Sequence, residues 1–429
     1  MTRLRISKGR LLDPSSKLDA KGDLCIENGR ILASGKSPAG FKPDRDIDAT
    51  GRIVTPGLID LAARFREPGA EHKATIAGEA RAAAAGGVTT VCCPPDTLPV
   101  IDTPAVVELI HRRAAAAGGI RVLPLGAMTH GLQGEQLAAM QALSEAGCAG
   151  VSNAREPVPN SEVLRRAMEY AASFGLTVHL QAEDHFLRNH GVMHEGTVST
   201  RLGLPPSPAA AETVAVSRAL LLAEQTGVRL HLCRISAGRS IELIGAAKAA
   251  GLPVTADVAI CNLILDESDV DGYRTDCHLQ PPLRTAADRA ALRRGLGEGI
   301  IDAVCSDHQP HDADAKSAPF SITEPGASTI ELLLPLVLEL VHGDGLALPA
   351  AIAALSSRPA AILGGGIGSL APGMPADVVV IDPEQRFRVD AAALRSAGRN
   401  TPFIGRELRG RATHTVFGGE IVFEAGRSG

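Results

Sequence analysis

Eight apolar, β-branched runs alternate with alanine-rich amphipathic stretches along this 429-residue chain, and that alternation restricts its fold more than any other feature. The runs lie near 53–62, 88–93, 120–127, 148–153, 176–183, 228–236, 252–259 and 300–307. They are continuously apolar, so both faces of each strand must be covered. Glycines suited to a left-handed helix cap stand ahead of several of them, at Gly86-Gly87, Gly118-Gly119, Gly147, Gly175, Gly227 and Gly251. Strand–helix units with right-handed crossovers give a parallel sheet, and eight such units close into a (β/α)8 TIM barrel over 53–363. The final barrel helix is expected within 327–342, with a further helix near 348–363.

The two ends follow another pattern. Residues 1–52 hold short alternating strands with a hairpin signal at Asn28-Gly29, and residues 364–429 hold a second such signal at Gly418-Gly419. Neither end has enough strands to be stable alone, so both are expected to join in one small β-domain flanking the barrel. Gly364-Gly365-Gly366 follows a helix and precedes no Lys-Ser/Thr pair, which makes it a hinge between the two parts and not a phosphate loop.

Composition narrows the function. Hydrophobic residues make up 45% of the chain but aromatics only 3%, so the core must be built from aliphatic side chains. A net charge of −5 argues against a nucleic-acid or anionic-membrane partner. No apolar run approaches the ~20 residues of a membrane span, and Met1-Thr2-Arg3-Leu4 opens no signal peptide. The eight cysteines, at 25, 92, 93, 148, 233, 261, 277 and 305, form no CxxC and lie mostly inside apolar runs. They are expected to be buried thiols in a reducing cytoplasm.

Barrel enzymes carry their chemistry at the carboxyl ends of the strands. The motifs found there include Thr55-Pro56-Gly57-Leu58-Ile59-Asp60, Arg66-Glu67-Pro68-Gly69, Ala182-Glu183-Asp184, Asp307-His308-Gln309-Pro310-His311 and Asn400-Thr401-Pro402-Phe403. With them the whole chain closely resembles the dihydroorotases, cyclic amidohydrolases of pyrimidine synthesis. That resemblance implies a zinc site that activates water for attack on a ring amide. Its ligands, carried over one at a time, fall on unsuitable residues. The two strand-1 histidines fall on Ala62 and Arg64, the strand-4 aspartate on Asn153, the strand-5 histidine on Gln181 and the strand-6 histidine on Arg234. Only the strand-8 aspartate is kept, as Asp307. A methyl group cannot bind zinc, and a guanidinium is a cation that cannot be deprotonated. No zinc or other cofactor is therefore expected.

Positions that the resemblance assigns to substrate are altered as well. Pro95-Asp96-Thr97 has a carboxylate where the family has an amide, Gln280 stands where the family has Asn, and Ile260-Cys261-Asn262 replaces a Pro-His-His pattern. Arg66 and His311, implied contacts of a substrate carboxylate, are retained. Arg66 could instead pair with Glu67 or Asp60, and His311 could bond its own loop. Arg64 and Arg234 are expected to point toward Asp307, where a bidentate guanidinium–carboxylate pair would fill the place of the metals. His179 and His231 could be argued as relocated ligands, although a core histidine with a backbone partner is the ordinary reading of His179. His185, His190 and His194 read as surface positions, and Cys305 as a buried strand thiol.

The resemblance extends to inactive dihydroorotase-like chains that assemble with aspartate carbamoyltransferase. It implies a cytoplasmic pseudoenzyme, dimeric within a hetero-oligomer, that scaffolds the transferase. An active cyclic-amide hydrolase with an unconventional metal site, and a regulatory protein that binds an anion in the arginine-lined pocket, remain as alternatives.

Overall fold

The computed structural model describes residues 3–426. Met1-Thr2, where the absence of a signal peptide is read, and the last three residues of the C-terminal β-segment lie outside that range. The apolar run expected to form one first barrel strand divides in two. Ile53–Pro56 pairs with Arg3–Asp13 and Val378–Arg388 in the flanking sheet, whereas Leu58–Asp60 pairs with Val88–Cys93 in the barrel. Gly57 is the joint between them. A Cβ there would lie 2.2 Å from Thr89 Oγ1, so the close passage from one sheet to the other requires glycine.

The barrel strands follow in order: Leu58–Asp60, Val88–Cys93, Arg121–Pro124 continued by Gly126–Ala127, Val151–Ser152, Thr177–Leu180, Arg229–Leu232, Val254–Ala259 and Ala303–Cys305. Consecutive members pair in parallel. A parallel bridge between Ala63 and His308 brings the last strand back to the first. In that seam Arg64 N–H donates to His308 O at 2.9 Å and His308 N–H donates to Ala62 O at 3.2 Å. The barrel strands are buried as their continuous apolar sequence demands, and Ala, Val, Leu and Ile supply most of the core. The helix expected within 327–342 spans Leu333–Gly343, and the next region holds two helices, Leu348–Leu355 and Ser357–Ile362.

Both ends of the chain build one eight-stranded sheet beside the barrel, through the hairpins at Asn28-Gly29 and Gly418-Gly419. Asp377 ties that sheet to the barrel by accepting from Arg121 Nη1 at 2.8 Å. All eight cysteines are buried and free, and among the described residues no helix is long and apolar enough to cross a membrane.

One buried carboxylate fixes the loop that carries Arg234. Glu212, on helix Ala210–Thr226, accepts from the backbone N–H groups of Ser236 and Ala237 and from the hydroxyls of Ser236 and Ser240. These donors surround the start of helix Gly238–Ala249, where negative charge is favoured. Glu212→Leu leaves several buried donors without an acceptor and should cost about 3–5 kcal/mol. Chemical denaturation of the variant, alongside Glu212→Gln as the milder change, checks this.

Candidate functional site

The residues at the carboxyl ends of the barrel strands form a network of arginines around one carboxylate. Asp307 is mostly buried. Its Oδ1 accepts from Arg64 Nη1 at 3.2 Å, and its Oδ2 accepts from Arg155 Nη2 at 3.0 Å and from Gln309 Nε2 at 3.2 Å. Arg234 Nε lies 3.7 Å from Asp307 Oδ1, within ion-pair range but beyond a hydrogen bond. The expected bidentate pair is therefore absent. Arg234 instead gives its Nε and Nη2 to Gln181 Oε1, at 3.1 and 2.7 Å, and Arg155 takes the second oxygen of Asp307.

Neither arginine reaches out to solvent: Arg64 is 5% exposed and Arg234 4%, so both charges need internal partners. For Arg64 the main one is Asp96, which accepts from its Nε at 2.7 Å. Burial raises the Asp96 carboxyl, but the adjacent Arg64 charge more than offsets this and holds it below its ordinary value. The same balance, with Asp307 overcoming burial, holds Arg234 above the usual guanidinium range. Burial pushes Arg155 and Arg66 in the other direction.

The remaining positions are occupied by internal contacts. Asn153 Oδ1 accepts from Thr129 Oγ1 at 2.8 Å, and its Nδ2 donates to Leu132 O and Glu156 O. Ala62 packs with Ala259 and Cys305 in a small apolar cluster. Arg66 pairs with neither Glu67 nor Asp60. It donates to Pro310 O at 3.0 Å and lies 3.1 Å from His311 Nε2. Glu67 instead accepts from Ile76 N–H and pairs with Arg113. Gln280 accepts from Arg155 Nη2 at its backbone carbonyl, and its side-chain amide donates to Glu183.

This donor set does not fit a catalytic zinc. Zinc takes three or four thiolate, imidazole or carboxylate ligands. Here one carboxylate is committed to guanidiniums, two amides are committed to protein partners, and two cations stand at ligand positions. At an effective dielectric of ~20, two unit charges ~4 Å apart repel by about 4 kcal/mol, and a divalent ion doubles that. His185, His190 and His194 are half-buried or exposed and do not converge on a metal-sized site. Cys305 Sγ faces Asp257 Oδ1 and Val258 O, and burial holds its thiol well above the ordinary range.

A chain from Pseudomonas aeruginosa called dihydroorotase-like protein is 48% identical over 98% of this chain and 99% of its own length. The chain belongs to the dihydroorotase-like family. A Pseudomonas putida chain of the same description is 49% identical over 97% of this one and 98% of its own length. A Geobacter chain called dihydroorotase is 45% identical over 99% of this one and 100% of its own. The Dihydro-orotase-like family profile matches residues 51–240 and the Amidohydrolase family profile residues 340–423. Among solved structures, an L-hydantoinase from Arthrobacter aurescens superposes with a TM-score of 0.90 at 22% identity, covering 100% of this chain and 97% of that one. This confirms the fold: an amidohydrolase barrel with a flanking β-domain.

The residue that sequence reasoning missed in this dihydroorotase-like chain is Arg155. It lies two positions past Asn153, and Ala154 between them takes a left-handed φ of 51°. Arg66, Arg234 and Asp307 share that backbone region, at 62°, 53° and 46°. Each such residue costs about 1–2 kcal/mol.

Asp307→Asn removes the shared charge from beneath three arginines, and the variant should lose about 3–5 kcal/mol of stability by denaturant unfolding. Acid should also destabilise the protein. Burial, helped by neighbouring positive charge, lowers His179 to about 3, His278 to about 4 and His311 to about 2. The unfolded chain, with histidines near ~6.5, takes up these protons first, so stability is full above that pH and is lost below it. Asp60, which burial raises to about 6, has the opposite sign between ~4 and 6 and offsets one of the three. The three histidines outweigh it, so the protein should melt lower at pH 5 than at pH 7. Melting temperatures at pH 7 and 5 test it, and His179→Leu should flatten the dependence.

Proposed function

We propose that this chain is a non-catalytic dihydroorotase-like subunit, metal-free at the barrel mouth. It stabilises an assembly of aspartate carbamoyltransferase in cytoplasmic pyrimidine synthesis and is itself dimeric within that hetero-oligomer. The observation that carries the non-catalytic part is the commitment of Asp307 to Arg64 and Arg155, with Arg234 at ion-pair distance. The Pseudomonas relatives, at 48% and 49% identity, are called dihydroorotase-like, which agrees with it. The transferase partner rests on the family resemblance, supported by a complete barrel kept without its ligand set.

Purified protein should contain far less than one zinc per chain and should not hydrolyse dihydroorotate above the buffer rate. Stoichiometric zinc with turnover that a chelator abolishes would refute the non-catalytic reading in favour of an active hydrolase. Co-expression with the transferase from the same organism should shift the transferase to a larger assembly on size exclusion. Finding the same large, active assembly without this chain removes the scaffold role.

A second reading has its own observation. Arg64 Nη2 is buried without a partner beside a cavity of about 250 Å³ that Arg66 and Asp96 also line. A small carboxylate or phosphate held there makes the chain an anion-binding regulatory protein. Calorimetric titration with N-carbamoyl-aspartate and with phosphate separates this reading, since the scaffold role requires neither to bind.

A further inference from the structure

One layer below the arginines the barrel interior holds a cluster that neither the mouth network nor the scaffold role uses. His179 and His231 are register partners on adjacent strands, with ring centroids 5.1 Å apart in an edge-on arrangement. Cys233 follows on the same face of the second strand. One candidate ligand atom from each of the three residues lies within 4.8 Å of the others, and all three are buried.

His179 is the anomaly. It is 1% exposed, and neither of its ring nitrogens has a hydrogen-bond partner. Buried polar groups without partners are rare and point to something unrecorded that they contact. A neutral imidazole with a free lone pair is a metal ligand. Space for the ring is also provided: a Cβ at Gly150 would come within 2.8 Å of His179 Cδ2.

His231 has the support typical of a metal-binding histidine. Its Nε2 lies 2.9 Å from Asp257 Oδ2, and its Nδ1 lies 2.9 Å from Thr255 Oγ1. A proton on Nε2 donated to Asp257 leaves the Nδ1 lone pair available, with the Thr255 hydroxyl giving up its contact. Cys233 Sγ makes only a weak 3.7 Å contact to His231 O.

We propose that His179, His231 and Cys233 form a binding site for one soft monovalent metal ion, Cu(I), in the barrel core. Two imidazoles and one thiolate are a soft donor set suited to three-coordinate copper. The count of three donors selects the monovalent ion. Cu(I) and the Cys233 thiolate cancel, while the Asp257 carboxylate lies 2.9 Å from His231 Nε2 and accepts the Arg234 backbone N–H at 2.5 Å. Zinc, which takes four ligands at a closed site, lacks a fourth among the described residues. Binding forms one Cu–S and two Cu–N bonds and releases the Cys233 thiol proton to solvent, with no change of oxidation state. Arg234 and Gln181 lie above the cluster, so exchange of the ion is slow.

The test is anaerobic titration of the metal-stripped full chain with Cu(I) against a chromophoric copper chelator. One equivalent should be withdrawn from the chelator, with thiolate-to-copper absorption in the near ultraviolet. Affinity should fall about tenfold for each pH unit of acidification, as loss of one thiol proton requires. Cys233→Ser and His179→Leu should each weaken binding at least a hundredfold, whereas Cys148→Ser, at another buried cysteine, should not. His179→Leu removes an unpaired imidazole, so the metal-free variant should melt no lower than the parent, which separates lost ligation from lost folding. Failure to take up one equivalent, retention of copper by both variants, or displacement of copper by equimolar zinc would each overturn the assignment. A buried water at His179 is then the remaining occupant.

Discussion

Asp307 is a single carboxylate among three guanidiniums, and the mouth of the barrel is arranged around that imbalance. Left to themselves, Arg64, Arg155 and Arg234 would repel one another by several kcal/mol in a medium of intermediate dielectric. Each is therefore given a further acceptor from a different element: Asp96 for Arg64, Gln280 O and Gln309 for Arg155, Gln181 for Arg234. The result is a branched network centred on Asp307 that joins residues following the first, second, fourth, fifth, sixth and eighth strands, with Arg234 and Gln181 attached through an ion-pair contact of 3.7 Å. In a metal-dependent hydrolase a cation is gripped at this level by side chains from many strands. Here the cations are covalent parts of the chain, and the cross-strand connections persist in another chemistry.

The backbone carries the mark of that arrangement. Arg66, Ala154, Arg234 and Asp307 all sit in the left-handed region just past strand ends, where non-glycine residues are uncommon. Such conformations survive where surrounding contacts over-determine them. At Arg234 those contacts are Asp257 on its backbone, Gln181 on its guanidinium and Glu212 on the residues that follow. At Arg66 the guanidinium itself reaches across to Pro310 O. The strain thus lies under a polar network whose members are buried and almost fully bonded.

Much of this could be read from the sequence. Continuous apolar runs separated by capped helices led to the barrel, and the positions at its strand ends led to Ala62, Arg64, Asn153, Gln181, Arg234 and Asp307. What escaped was partnership, because that depends on distances between strands. Asp96 reads in one dimension as a carboxylate hostile to an anionic substrate; in space it is the counter-charge of Arg64. Arg155 matches no ligand position, and only the turn at Ala154 brings it to Asp307. The run 53–62 hides its division because both halves are equally apolar, and the break at Gly57 depends on which neighbours each half finds. His179 was expected to find a backbone partner and has none.

The pairing of Arg64 with Asp96 has a consequence for substitution. Histidine at position 64 alone strands Asp96 as a largely buried, unpaired carboxylate, and changing Asp96 alone strands Arg64. The same holds for Arg234 with Gln181 and for each partner of Asp307. A single substitution at any of these positions leaves a buried partner unsatisfied, so the network tolerates only concerted change.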